Sequence, residues 1–346
     1  MRTPVSVGVI GLGRRCTELA RAFDDSPHAD VRWVFDERPV EPDRVRPPSA
    51  TAFTPELEDL LADETLDAVA FATPGVSRRA LVRRALEADK HVYVEGPLGT
   101  RPGDTVELMR LAEFKNRRLM IGHSLLYHPG VRKLKELIEL GRLGEVYYLT
   151  ATITTSQRSS GDESVLTAEA GAAVATILYL LGDEPSHTWW RSDSYLQSAG
   201  AEVADCHLRF ATGIAATLQV SWLDARDQCQ IAAVGSRKTA VFDAAEPSRK
   251  LTIYERRSPR GAEIISPRVA LDEPLRLQCE TFLGGLRGAV EYPSTRLAPA
   301  VVRVLEAAAG ELREPVPING RNAARSRLRL AAPAQAGGAF LSTRER

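Results

Sequence analysis

Along the first third of the chain, apolar positions fall into short runs separated by stretches at helical spacing. Ser6–Gly11 is an apolar run ending in glycine, the pattern of a strand buried on both faces. From Arg14 to Phe23, Leu19, Ala20 and Phe23 recur at helical spacing. Further strands are expected at Val31–Phe35, Asp67–Thr73, His91–Val94 and Arg118–Ile121, and helices at Leu57–Leu61, Arg78–Ala88 and Val106–Glu113. This alternation specifies parallel strands joined by crossover helices, a doubly wound nucleotide-binding sheet.

The rhythm then changes. Pro129–Gly141 reads as an amphipathic helix, followed by strand-like runs at Glu145–Thr154, Ala204–Phe210, Ile214–Trp222, Gln230–Val234, Thr239–Phe242 and Leu251–Tyr254. Turns such as Thr212-Gly213 and Gly235-Ser236 join several of them, which predicts an antiparallel sheet. Helices are expected at Val165–Leu181, Leu275–Leu286 and Leu297–Leu312. The expected organisation is a dinucleotide-binding domain over 1–125, an α/β substrate and oligomerisation domain over 126–330, and a disordered tail over 331–346.

Composition narrows the class. Basic and acidic residues number 45 each, so the formal net charge is zero. That argues against a nucleic-acid partner, whose binding rests on a basic surface. The basic residues are six lysines and 39 arginines. Arginine cannot exchange protons near neutral pH, so an enzyme of this make-up that needs a lysine has few to use. Cys16, Cys206, Cys229 and Cys279 form no Cys-x-x-Cys pair, which disfavours a metal site and fits buried thiols in a reducing cytoplasm. No apolar run is long enough to span a membrane.

Gly11-Leu12-Gly13 sits between the first strand and the first helix, where a dinucleotide fingerprint belongs, with Arg14 and Arg15 opening the helix. The first glycine permits the tight turn, and the second lets the backbone approach a pyrophosphate at the helix N-terminus. Cys16 stands where the third glycine is usual. Asp36 ends the second strand, placed to accept hydrogen bonds from a ribose 2′-hydroxyl, which favours NAD(H). Arg38 keeps NADP(H) open.

The run DAVAFATPGVSRRALVRRALEADKHVYVEGPL, residues 67–98, resembles the Gfo/Idh/MocA family of NAD(P)-dependent sugar and polyol dehydrogenases. The resemblance continues through GHSLLYHPGVRKLKELIELGRLGEVYY and VSWLDARD, over roughly residues 5–318, and is greatest to the nucleotide-sugar 3-dehydrogenase branch. It implies an N-terminal Rossmann domain, a C-terminal α+β domain with a large open, mostly antiparallel sheet, and a homodimer or homotetramer. It also implies that Ala72, Thr73 and Pro74, the family's A-T-P turn, and Glu95 face the cofactor.

The family's reactive groups are replaced. Its Glu-Lys-Pro triplet is here Glu95-Gly96-Pro97, and glycine can neither donate nor accept a proton through a side chain. In the frame fixed by Val165-Leu166 and Tyr179-Leu180-Leu181-Gly182, the family's carboxylate and histidine fall on Ala168 and Ala172. A one-residue slip offers Glu169 but only Ala173 for the histidine. Arg78 stands where a histidine often follows the A-T-P turn. His123, Tyr127 and His128 are the substitute acid–base candidates, each with a packed, structural role as the alternative. Three readings follow: an oxidoreductase with non-standard acid–base groups acting on a sugar-like or secondary-metabolite substrate; a family member turned to cyclase, lyase or isomerase chemistry; and an inactive protein that senses a nucleotide or sugar.

Overall fold

The computed structural model describes residues 3–11, 14–35, 52–54, 56–73, 78–99, 101–156, 164–195, 200–255, 263–288 and 291–311. The chain divides into two units, Met1–Glu311 and Leu312–Arg346. The second unit, with the tail expected over 331–346 and the 330 boundary, lies outside the described residues.

The first sheet holds β1 (Val5–Ile10), β2 (Ala29–Phe35), β3 (Ala52–Thr54), β4 (Ala68–Phe71), β5 (His91–Glu95) and β6 (Leu119–Gly122) in the order β3-β2-β1-β4-β5-β6, all parallel. Every residue of β1, β4 and β6 is buried, as expected when helices cover both faces. Those helices include α1 (Arg14–Asp24), α2 (Leu57–Ala62), α3 (Arg78–Glu87) and α4 (Pro102–Phe114). Strand β3 goes beyond the sequence pattern. It is three residues long and follows a segment rich in proline and arginine, so it carries no periodic signal.

A helix α5 (Pro129–Glu139) leads to the second sheet: β7 (Val146–Thr154), β8 (Pro185–Asp193), β9 (Val203–Phe210), β10 (Ala215–Ser221), β11 (Gln228–Gly235), β12 (Lys238–Asp243), β13 (Leu251–Glu255) and β14 (Ile264–Ile265). Its order is β14-β13-β12-β11-β7-β10-β9-β8. All its pairings are antiparallel except β7 with β10. Along β9, Ala204, Cys206, Leu208 and Phe210 are buried, while the alternating Asp205, His207 and Arg209 are not. One face of the sheet is therefore packed and the other is left open. Strand β8 carries the Trp189-Trp190 pair. Only Trp190 is buried, so the period-two signal was weak.

Helix α6 (Gly171–Leu181) is preceded by one π-turn, Leu166–Ala170, and α7 (Pro274–Arg287) and α8 (Pro293–Glu311) complete the unit. Helix α8 touches both sheets. Its Thr295 Oγ1 accepts from Ile121 N at 2.8 Å, satisfying the outer strand β6, and its Val304 carbonyl accepts from Trp190 Nε1 at 2.9 Å. An aromatic trio of Phe23, Tyr93 and Phe282, with ring centres about 6 Å apart, locks α1, β5 and α7 together. Among the described residues no helix is long and apolar enough to cross a membrane.

Candidate active site

In the first sheet the strand order reverses between β1 and β4, so the crevice beyond their C-terminal ends is where a doubly wound fold binds its ligand. Gly11 follows β1 there with φ +129°, a conformation that favours glycine. A Cβ on Gly11 would lie 2.8 Å from the Ala72 carbonyl carbon and 3.1 Å from Thr73 N. The main chain at the two strand ends thus comes together only because residue 11 has no side chain. The Thr73 hydroxyl oxygen is buried there and makes no hydrogen bond among the described residues. A cradle that a methyl group would fill, lined by an uncommitted polar atom, fits a dinucleotide. Ala72 and Thr73 of the expected cofactor set are in it. Leu12, Gly13, Asp36, Arg38 and Pro74 lie outside the described residues, as does the side chain of Arg14.

Two strands away, the end of β5 is occupied by the protein itself. Arg15, in the first turn of α1, donates from Nε to both Glu95 oxygens at 2.8 and 2.9 Å, and its second guanidinium nitrogen lies 2.6 Å from Glu95 Oε1. Burial alone would lower the Arg15 pKa, but hydrogen bonding to Glu95 and its charge hold it above the ordinary value. Two residues of the expected cofactor set are therefore joined to each other. Arg78, the first residue of α3, donates to the carbonyl oxygens of Thr73 (2.7 Å), Glu95 (2.7 Å) and Pro97 (3.1 Å). One guanidinium ties the ends of β4 and β5 together, a use of its planar fork that a histidine could not reproduce.

Gly96 lies against His123. A Cβ on Gly96 would sit 2.4 Å from His123 Cε1 and 2.7 Å from Nε2, so any side chain at position 96 requires the ring to move. Burial pushes the His123 pKa down to about 4, and the Arg78 charge adds to the shift, so the ring is neutral near pH 7. Its Nε2 is buried with no hydrogen-bond partner among the described residues. Gly171, at the start of α6, lies with its would-be Cβ 3.0 Å from Pro97 Cδ. The segment that the family frame assigns to Ala168 and Ala172 is thereby brought beside Gly96-Pro97. Ala172 is half-buried there, and the Ala168 side chain is outside the description.

The other two acid–base candidates have neighbours of their own. His128 caps α5. Its Nδ1 accepts from Gly130 N at 3.0 Å, and its ring packs edge-on against Phe242 with centres 4.6 Å apart. Burial and the charge of Lys250 take its pKa down to about 4. The Tyr127 hydroxyl is 3.0 Å from Ser294 Oγ on α8, and burial pushes its pKa up to about 12. Of the three, only His123 is set against Gly96.

Several site contacts were missed from sequence. The Arg78 clamp had no signal, because its acceptors are main-chain oxygens. Gln278 did have one. With Leu275, Cys279 and Phe282 it falls at helical spacing on the buried face of α7, a polar residue where the pattern asks for an apolar one.

Two family models match the chain. The NAD-binding Rossmann fold of the oxidoreductase family covers residues 5–123, and the GFO/IDH/MocA C-terminal domain covers residues 131–241. The protein belongs to the Gfo/Idh/MocA family. Its first sheet is that family's NAD-binding Rossmann domain. A dTDP-3,4-didehydro-2,6-dideoxy-alpha-D-glucose 3-reductase of Saccharopolyspora spinosa is 29% identical over 178 residues, which are 51% of this chain and 54% of the relative. The matched segments span 39% to 54% of the length of three curated relatives, two of them 3-reductases of this kind and one an uncharacterized oxidoreductase of Streptococcus pneumoniae. Among solved structures, GenD2 from gentamicin A biosynthesis, in complex with NAD, superposes with a TM-score of 0.75 at 21% identity, over 90% of this chain and 96% of that one. The UDP-N-acetylglucosamine 3-dehydrogenase of Acidithiobacillus ferrooxidans gives 0.73 at 21%, over 88% and 98%. These two structures share the fold.

Proposed function

We propose that the protein is an NAD(H)-dependent oxidoreductase acting on a sugar-like substrate, a nucleotide sugar in the first instance. The observation that carries this reading is the Gly11–Ala72–Thr73 cradle at the reversal of strand order. The names of the Saccharopolyspora reductase and the Acidithiobacillus dehydrogenase support the substrate class. Asp36 favours NAD over NADP, with Arg38 as the counterargument.

A bound nicotinamide would supply the hydride acceptor or donor. The chain's own contribution is to hold the dinucleotide on Gly11 and Thr73 and to fix the ends of β4 and β5 with Arg78. Position 96 presents no acid, and Ala168 and Ala172 offer none in the family frame. In this reading His123 is the acid–base group nearest that place. As a neutral imidazole it serves as a hydrogen-bond partner, and at pH 7 it carries no ready proton. Losing a positioned acid or base costs about 10²–10⁴ in rate. Turnover is therefore expected to be slow for an alcohol and less impaired for a substrate whose oxygen needs no strong proton transfer.

The second reading keeps cofactor binding and drops net redox turnover, as in a lyase, isomerase or nucleotide sensor. It is favoured by the engagement of Glu95 with Arg15 and by the bare Gly96. Absorbance at 340 nm, followed with NAD(H) and a panel of nucleotide sugars and their keto derivatives, separates the two. Turnover supports the first reading, and binding without any change in absorbance supports the second.

The open sheet face carries Trp189, half exposed and with its ring centre 5.3 Å from that of His207, together with the exposed Tyr148 and Tyr254. The proposal includes closure of this face against a second copy, giving a homodimer or homotetramer. A monomeric mass by light scattering at micromolar concentration would overturn it. The proposal keeps the cytoplasmic location expected from the cysteine usage of the sequence.

A further inference from the structure

Polar atoms inside a folded protein are almost always paired, so a cluster of unpaired ones in a single place calls for an explanation. Such a cluster lies behind the end of β6. Gln278 reaches from α7 towards Gly122 with its side chain fully buried, and among the described residues neither its amide oxygen nor its amide nitrogen makes a hydrogen bond. The Tyr93 hydroxyl, on the neighbouring strand β5, is fully buried and equally unpaired. The two side chains are close. A Cβ built on Gly122 would lie 2.1 Å from Gln278 Nε2 and 2.9 Å from the Tyr93 hydroxyl, so these atoms are at most 5.0 Å apart. Yet they do not bond each other.

We propose that Gln278 and Tyr93 hold a buried water molecule between α7 and the C-terminal ends of β5 and β6. A separation of no more than 5.0 Å is within the span of one water making two hydrogen bonds of about 2.8 Å. Buried waters generally use two to four polar partners, and the amide with the hydroxyl supplies at least two. Either orientation of the amide serves, since its oxygen accepts and its nitrogen donates, and the hydroxyl can do both. Replacing Gln278 or Tyr93 with an apolar residue would leave the water short of partners.

The place gives this water a task. Gly122 O accepts the Gly96 N–H at 2.7 Å, and Gly122 is the residue on which the Gln278 amide rests. The aromatic trio holds α7 rigidly against β5 through Phe282. The water thereby links the second half of the chain to the Glu95-Gly96-Pro97 turn, as a positioning element rather than a reactant. This inference rests on unpaired atoms of the fold and does not depend on what the cleft binds.

The test turns on a sign. If Tyr93 bonds a buried water, Tyr93→Phe removes a satisfied hydroxyl and lowers the unfolding temperature by roughly 2–4 °C. If the hydroxyl is unsatisfied, Tyr93→Phe leaves that temperature unchanged or raises it. Gln278→Leu, alone and with Tyr93→Phe, completes a cycle. A shared water makes the second loss smaller than the first, and independent side chains give losses that add. An ordered water within hydrogen-bonding distance of both side chains in a high-resolution crystal structure is expected. A rise in unfolding temperature for Tyr93→Phe, or simple additivity, overturns the proposal. If the Gln278 variant does not fold, the sign for Tyr93→Phe decides by itself.

Discussion

The ends of β1 and β5 lie two strands apart in one sheet and are put to opposite uses. At β1, Gly11 brings main chain against the end of β4, and the Thr73 hydroxyl there is buried with no hydrogen bond among the described residues. At β5, the fold consumes what a reaction could use. Glu95 is held by Arg15, and the carbonyls of Glu95 and Pro97 are held by Arg78. The imidazole of His123 sits against Gly96, buried and neutral. In the proposed function, cofactor binding and acid–base chemistry therefore draw on different strand ends.

The sharpest way to break the contrast is at Gly11. Gly11→Val places a branched side chain where φ is +129° and a Cβ already lies 2.8 Å from the Ala72 backbone. NADH affinity should fall at least about 100-fold, with a stability loss on the order of 1–3 kcal/mol. Calorimetric titration and thermal unfolding measure the two effects.

Next comes acid. His91, His123 and His128 are each pushed by burial to a pKa of about 4, below the unfolded value. Between those pKa values the unfolded chain binds more protons, so stability present at pH 7 is lost as pH falls from about 6.5 towards 4. The expected loss is on the order of 1–3 kcal/mol per histidine, seen as a falling denaturation midpoint. A midpoint flat across this window would show the three rings to be solvated.

Arg78 joins the ends of β4 and β5. Arg78→Ala leaves three carbonyl oxygens without this donor and should cost about 2–3 kcal/mol in stability. Cofactor affinity should drop about tenfold, because the β4 end is no longer held to β5. Arg78→Lys should restore only part of either, since lysine lacks the fork.

His128→Ala should cost about 1 kcal/mol, the value of an N-cap, and leave NADH affinity unchanged. A large loss of turnover at unaltered cofactor affinity would instead return His128 to the list of reacting groups. The smallest effect is expected from Arg15→Ala. Its pair with Glu95 is partly exposed, and such pairs contribute about 0–1 kcal/mol.

Much of the first sheet was legible in the sequence because buried parallel strands are nearly continuous apolar runs, as in SVGVIG and DAVAFAT. The second sheet showed itself by strand-like runs joined at turns such as Thr212-Gly213 and Gly235-Ser236. Strand β8 escaped because an outer strand with polar residues at most positions has little period-two signal. The Gly11 turn was readable from residue type and spacing. The engagement of Glu95 and the contact between Gly96 and His123 were not, because each joins separate elements through geometry that no local pattern encodes, and the Arg78 clamp was not, because its acceptors are main-chain oxygens.

The claim that the cradle at β1 still takes a dinucleotide is tested most directly by titrating the purified protein with NADH in a calorimeter. One molecule bound per chain, at micromolar to submillimolar affinity and abolished by Gly11→Val, is the result predicted here. No heat of binding from NADH or NADPH up to millimolar concentration, with the wild-type protein folded, would contradict it.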